Sequence, residues 1–279
     1  MVQIMRKQAL NPTVTLMEVY APLVAKKAQP GQFIILRVDV EGERIPLTVA
    51  DYDRQKGLVT IIFQIVGATT EKLNRLKTGD YIADFAGPLG QPSDCSAKKV
   101  AIVGGGVGCA IALPVAKRFH ELGAAVHGIT GFRSRDLVIL ENEFRAVAGT
   151  FVMMTDDGSY GTKGLVTDAL KKLIDAGEKY DEVIAIGPLV MMKFVCAATK
   201  PYNIKTTVSM NPIMIDGTGM CGCCRLTVGG KTRFACVDGP DFDGHQVDFA
   251  EALSRGSIYK PFESKAHRGV CNLLKQEAK

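Results

Sequence analysis

A chain of 279 residues, 47% apolar and 23% charged, has the material for two compact domains and a smaller third, and its balance is that of an ordinary globular protein rather than a disordered one. The formal charge of +5 is spread along the sequence, which argues against a basic nucleic-acid arm. The start lacks the apolar core of a signal peptide. The longest apolar run, residues 100–116, is broken by Gly104, Gly105, Gly106 and Gly108 and is too short for a membrane span, so a cytoplasmic protein is expected.

Residues 1–95 carry short β-branched runs, at 13–19, 33–38 and 58–66, divided by turn residues, a pattern that predicts an antiparallel β-barrel. Arg44-Ile-Pro46-Leu47-Thr48 reads as the end of one such strand. An Arg ahead of a Pro-apolar-hydroxyl turn suits a flavin, with the guanidinium for pyrophosphate and the backbone and hydroxyl for the ring edge. The segment from Phe63 through Gln64 and Ile65 to Thr69 and Thr70 leads from a strand into a helix expected to start near Glu71. Its glycine and hydroxyls are suited to holding phosphate at a helix N-terminus.

Residues 96–205 alternate strands and helices. Strands are predicted at 99–103, 126–130, 150–154 and 182–186, and helices at 110–122, 137–147 and 166–176. Such alternation means a parallel sheet covered on both faces. Gly104-Gly105-Gly106-Val107-Gly108 lies between a strand and a helix, as a dinucleotide fingerprint requires, although Cys109 stands where the last glycine of G-x-G-x-x-G belongs. Thr155-Asp156-Asp157-Gly-Ser-Tyr-Gly161 and Gly187-Pro188 each follow a strand end, at the sheet edge where open α/β folds bind ligands. The second strand is followed by Gly131-Phe132-Arg133-Ser134-Arg135, which holds two arginines and no acidic residue and leaves NADP(H) open beside NAD(H). His127 reads as packed or edge-exposed, His245 and His267 as surface residues, and nothing pairs them with a nucleophile.

From Thr206 regularity fails, apart from a short helix expected at 249–254, and a bound metal would supply the missing constraint. Four of the eight cysteines fall within residues 221–236. Asp216, Cys221, Cys224 and Cys236 reproduce the plant-type [2Fe–2S] spacing C-x4-C-x2-C followed by a distant fourth ligand, with Asp in the first place. Structural zinc held by Cys221, Cys223, Cys224 and Cys236 is the rival reading. Against it, the adjacent Cys223 and Cys224 project in different directions.

In this order, Arg-x-Pro-Leu-Thr, Gly-Gly-Gly-Val-Gly, Thr-Asp-Asp-Gly-Ser-Tyr-Gly, Gly-Pro-x-x-Met and Asp-x4-Cys-x2-Cys-x11-Cys-Val-Asp-Gly-Pro, the chain resembles the ferredoxin–NADP reductase superfamily over nearly its whole length. Within that superfamily it is similar to the small subunits of NADH-dependent reduced ferredoxin:NADP oxidoreductases, also known as sulfide dehydrogenase beta subunits, and to dihydroorotate dehydrogenase electron-transfer subunits. The resemblance implies a FAD-binding barrel at 1–95, an NAD(P)-binding α/β domain at 96–205 and a [2Fe–2S] domain at 206–279. It implies FAD contacts at Arg44, Pro46, Leu47, Thr48, Phe63, Gln64, Ile65 and Thr69. NAD(H) would lie over Gly105, Gly106 and Gly108, with Asp157 and Gly187 near ribose and nicotinamide, and the cluster would sit on Asp216, Cys221, Cys224 and Cys236. Many members carry Cys before the Gly-Pro; here that residue is Ile186. The implied partner is a larger flavin and iron–sulfur subunit, with ferredoxin reached through the complex. The rivals are the electron-transfer arm of a dihydroorotate or sulfide dehydrogenase and, in another class, a zinc-stabilised nucleotide-binding regulatory module.

Overall fold

The computed structural model describes residues 1–277, with side chains at all of them except 267 and 270–277, so the expectation for His267 falls outside the described side chains. The N-terminal strands β1 (Val2–Asn11), β2 (Val14–Tyr20), β3 (Phe33–Arg37), β4 (Arg44–Asp53), β5 (Leu58–Gln64), β6 (Tyr81–Ile82) and β7 (Asp84–Leu89) form an all-antiparallel sheet in the order β6-β1-β2-β5-β4-β3-β7. Its two edge strands follow one another through Ala83, so the sheet curls into a nearly closed barrel. Alternate residues point inward: Val59, Ile61 and Phe63 of β5 enter a core with Ile34 and Leu36 of β3. Helices α1 (Pro22–Lys27) and α2 (Ala68–Arg75) occupy two of the connections.

The second sheet takes β8 (Lys99–Gly105), β9 (Ala125–Phe132), β10 (Thr150–Thr155), β11 (Thr162–Lys163), β12 (Glu182–Ile186) and β13 (Lys205–Ser209), all parallel, in the order β11-β10-β9-β8-β12-β13. Residues alternate between two buried faces. Val100 and Ile102 pack beneath α3 (Gly108–Glu121) and α4 (Glu141–Val147), while Ala101 and Val103 pack beneath α5 (Val166–Asp175) and α6 (Leu189–Thr199). Each fully buried large side chain, Phe119 for example, contributes about 1.5–3 kcal/mol. The order of strands reverses between β8 and β12, which opens a crevice beyond their carboxyl ends.

The C-terminal part is more regular than its composition suggests. Strand β13 (Lys205–Ser209) starts in the parallel sheet, and β16 (Asp241–Asp243) returns to pair with it antiparallel, so the chain enters and leaves the cysteine-rich stretch at one sheet edge. Between them a hairpin, β14 (Arg225–Val228) and β15 (Lys231–Phe234), turns on Gly229 and Gly230, both at positive φ, as a two-residue hairpin demands. Then come α7 (Ala235–Asp238), α8 (Phe249–Arg255), whose first turn is capped by Asp248, and α9 (Lys260–Glu277). No helix among the described residues is long and apolar enough to cross a membrane.

Three local expectations are corrected. Arg44 begins β4 instead of ending a strand. Helix α2 starts at Ala68, because Gly67 and Thr70 form its cap. The helix expected over 137–147 is interrupted: Leu140 adopts φ 59°, and only Glu141–Val147 is α-helical.

Candidate functional site

A cleft of about 550 Å³ opens at the crevice between β8 and β12. Its floor is Gly105, Gly106, Gly108, Ile186 and Gly187, and one wall is Asn11, Thr13 and Gln64 of the barrel. The glycines are needed for contact as much as for the turn. A Cβ on Gly108 would stand 2.4 Å from Ile186 O and 2.7 Å from Gly187 Cα, so the first turn of α3 is pressed against the end of β12. A Cβ on Gly105 would stand 2.4 Å from Met191 Sδ. Cys109, in the place of the fingerprint's last glycine, is tolerated because a glycine lies beside it: a Cβ on Gly104 would meet Cys109 Sγ at 2.9 Å. The uncapped amino end of α3 faces this floor, an arrangement that favours a pyrophosphate.

Asp157 does not line the cleft; Asp156 does. Asp157 Oδ1 accepts hydrogen bonds from Ser159 N at 2.9 Å and Ser159 Oγ at 2.7 Å, and the Ser159 hydroxyl is the main reason its carboxyl lies below the usual range. Ser159 Oγ accepts in turn from Arg135 N at 2.8 Å. Asp157 thus holds its loop against the end of β9, while Arg133 reaches the cleft. The polar residues Asn11, Thr13, Thr167 and Asn211 line the cleft and were not singled out from sequence; the Asn-Pro-Thr turn at 11–13, between two β runs, was the available signal.

Of the expected flavin residues only Gln64 lines the cleft. Arg44, Pro46 and Thr48 share one face of β4 by strand alternation, and Leu47 packs toward the barrel core. Arg44 is exposed and makes no ion pair among the described residues. Phe63 is 2% exposed within the barrel core, so its side chain cannot touch a ligand, and Ile65 packs partly against that core. Thr69 Oγ1 donates to Glu43 Oε2 at 2.9 Å. Gly67, whose backbone was expected to help hold phosphate, donates its N–H to Thr70 Oγ1 at 3.0 Å, as does Val66, and the Thr70 hydroxyl donates to Gly67 O. The polar groups at the start of α2 are thus engaged locally, while Arg44 on β4 is exposed and Gln64 borders the cleft.

The cysteine-rich loop lies on the barrel. A Cβ on Gly217, at φ +75°, would strike Leu89 Cδ1 at 2.6 Å and Ile35 Cδ1 at 2.9 Å. Gln91 N donates to Gly239 O at 2.6 Å, and Gln91 Nε2 donates to Val237 O at 3.0 Å. Asp216 accepts from Thr218 N at 2.9 Å and Cys221 N at 3.0 Å, and these backbone donors, Thr218 first, hold its carboxyl below the usual range. Cys224 and Cys236 are buried with their sulfurs 3.2 Å apart. Burial, and then the Cys224 thiol, push the Cys236 thiol up to about 12, while the Gly219 N–H acts in the opposite sense. A thiol so placed ionises only with a cation at hand. Among the described residues no three Cys, Asp, Glu or His side chains converge as around one ion. Cys224 and Cys236 lie side by side, Cys221 is tied to Asp216 through its backbone N–H, and the Cys223 thiol lies beside Cys221. Cys223 is half-buried and its carbonyl accepts from Arg255 Nη2 at 3.2 Å.

Barrel, doubly wound sheet and cysteine loop together define an oxidoreductase subunit of the ferredoxin reductase type. Residues 211–248 match the iron–sulfur cluster binding domain of dihydroorotate dehydrogenase B. The chain is 44% identical to the dihydroorotate dehydrogenase B (NAD(+)) electron transfer subunit homolog of Thermotoga maritima, over 94% of this chain and 92% of that one. It is 34% identical to the electron transfer subunit of Fusobacterium nucleatum, over 83% and 92%. A solved structure of the NADH-dependent reduced ferredoxin-NADP oxidoreductase, described in connection with flavin-based electron bifurcation, superposes with a TM-score of 0.90 at 42% identity, covering 96% of this chain and 97% of that one. The cytochrome P450 reductase GcoB of Amycolatopsis, at 20% identity and TM-score 0.61, shares the fold. The chain belongs to the family of dihydroorotate dehydrogenase B electron-transfer subunits and their homologues.

Proposed function

We propose that this chain exchanges a hydride between NAD(H) and FAD and passes single electrons between FAD and a [2Fe–2S] cluster. The observation that supports the reading is the seating of the cysteine loop on the barrel through Gly217, Leu89 and Ile35, which would bring a cluster near a flavin held on β4, where Pro46 pairs with Ile35. FAD would supply the conversion between two-electron and one-electron carriers. Arg44 would neutralise its pyrophosphate, and Pro46 and Thr48 would border it on the same strand face. The dinucleotide would lie on Gly105, Gly106 and Gly108 with its phosphates at the amino end of α3, Asp156 toward a ribose, and Ile186 and Gly187 beneath the nicotinamide. Asp216 and Cys221 would hold one iron, Cys224 and Cys236 the other, leaving Cys223 without a role in ligation.

We place the chain in the cytoplasm, beside a larger subunit with its own flavin and clusters, in a complex that divides electrons from NADPH between this branch and ferredoxin. Support comes from the relative described as an NADH-dependent reduced ferredoxin-NADP oxidoreductase. The relatives described as dihydroorotate dehydrogenase subunits favour a second reading, in which the electrons come from dihydroorotate. Co-purification of the partner separates the two. Anoxically purified protein should contain flavin, iron and acid-labile sulfide, and the flavin should bleach on NADH addition; a colourless, zinc-containing sample would contradict the reading.

A carboxylate donates less electron density to iron than a thiolate. Asp216→Cys is therefore expected to lower the cluster's midpoint in a redox titration, and an unchanged or raised midpoint would remove Asp216 from the ligand set.

A further inference from the structure

Asp241 sits where the chain leaving the barrel, the edge of the parallel sheet and the end of the cysteine loop meet. Its Oδ2 accepts a hydrogen bond from Ser93 Oγ at 2.5 Å. Ser209 stands opposite it in the β13–β16 pair, and the surrounding backbone is pinned by Met210 N to Pro240 O at 2.9 Å and by Gln91 N to Gly239 O. Oδ1 is sealed from solvent and has no hydrogen-bond partner, one of only two such side-chain atoms among the described residues. An orphaned oxygen of this kind is costly on an anion and acceptable on a neutral acid. The charged group facing it is Glu182, which is buried and held by Lys205 and Thr207; half-buried Cys95 is the other titratable neighbour. Burial raises the Asp241 carboxyl above its usual range and Glu182 adds to this, while the Ser93 hydroxyl, bonded to Oδ2, opposes it.

Ser209 also lines the cleft, and Ser93, on the far side of Asp241, is partly exposed. Ser209, Asp241 and Ser93 thus form a row of exchangeable groups from the cleft wall toward solvent. The functional reading above, on which this inference rests, sets a proton balance: NADH gives NAD⁺, one proton and two electrons. A cluster that takes electrons alone leaves one proton to depart for each hydride split, and one must return in the reverse direction. We propose that Asp241 is the positioning residue for that proton, exchanging it between the cleft and solvent through Ser209 and Ser93.

The test uses the holoprotein with its partner, mixed with NADH in stopped flow, in H₂O and D₂O across the neutral pH range. Flavin bleaching reports the hydride step, cluster absorbance the electron step, and an indicator dye the released proton. Asp241→Asn keeps the acceptor for Ser93 and is expected to bind flavin and iron as before. Proton release and cluster reduction should slow by about tenfold or more, with their pH dependence and solvent isotope effect lost. Ser209→Ala should reproduce the slowing with the carboxyl in place, and it alone decides should Asp241→Asn lose its cofactors. Apart from turnover, the infrared spectrum of the wild-type protein should contain the C=O band of a protonated buried carboxyl that Asp241→Asn lacks. Proton release and isotope effect unchanged in the folded variants, or the absence of that band, would overturn the relay. A wild-type flavin that NADH fails to bleach would remove the functional reading and the relay together.

Discussion

Cys236→Ser is expected to emerge from anoxic purification with almost no iron or acid-labile sulfide, and with its C-terminal segment loosened. Cys236 is 2% exposed, and its sulfur lies 3.2 Å from that of Cys224. A serine hydroxyl in that pocket ionises far less readily than the thiol and offers iron a poorer donor. Residues 211–248 hold a four-residue hairpin strand pair, a single-turn helix and little core of their own, so the bound metal is expected to supply much of their stability. Structural metal sites of other kinds contribute on the order of 10 kcal/mol, and even a fraction of that exceeds what the local contacts provide. Because Gln91 is bonded to Val237 and Gly239, the loss should spread to the chain leaving the barrel, which hydrogen exchange at Gln91 and Ser93 would detect. Cys223→Ser is the matched control. It should keep iron and sulfide at wild-type levels, and if it loses them as Cys236→Ser does, the ligand set must include Cys223 and the two-pair arrangement is wrong.

Gly108→Val should abolish dinucleotide binding and destabilise the protein. The added Cβ would overlap Ile186 O and Gly187 Cα, backbone atoms at the end of a buried strand that cannot rotate away as a side chain could. Overpacking of this kind costs about 3 kcal/mol at the upper end of the usual range. For a chain of this length that lowers Tm by roughly 6–12 °C. The helix would be levered off the sheet, and with it the amide groups that face the cleft. Gly106→Ala is the contrast: nothing lies within 4 Å of its Cβ, and only the φ of +55° opposes it, at about 1–2 kcal/mol. Calorimetry with NADH titration would separate the two; unchanged nucleotide affinity in Gly108→Val would move the binding site elsewhere.

The fold was legible because both sheets write their periodicity into the chain. Val59, Ile61 and Phe63 alternate with outward residues in the barrel, and in β8 Val100 to Val103 are apolar without a break because both faces are covered. The cysteine motif from Asp216 to Cys236 was equally visible, since such a loop is local in sequence, and it falls within the residues that match an iron–sulfur cluster binding domain. What failed were features decided across the chain or by a local hydrogen bond. Thr70 turns back to cap Gly67, so the supposed phosphate donors are already engaged. Asp157 and Asp156 are neighbours with opposite fates, and the backbone N–H and hydroxyl of Ser159 hold Asp157 in the loop. The strand β13 reads as polar Thr-Thr-Val-Ser and joins the sheet through its pairing with β12 and β16 rather than through apolar pattern. Nothing in the sequence marks Asp241, whose hydrogen-bond donor Ser93 lies 148 positions away.

Electron paramagnetic resonance of anoxic protein after one addition of NADH bears most directly on the account. A signal from a reduced [2Fe–2S] centre should appear in the wild type and be missing from Cys236→Ser. No such signal from a wild-type sample with its flavin in place would contradict the claim that the cysteine loop receives electrons from the nucleotide cleft.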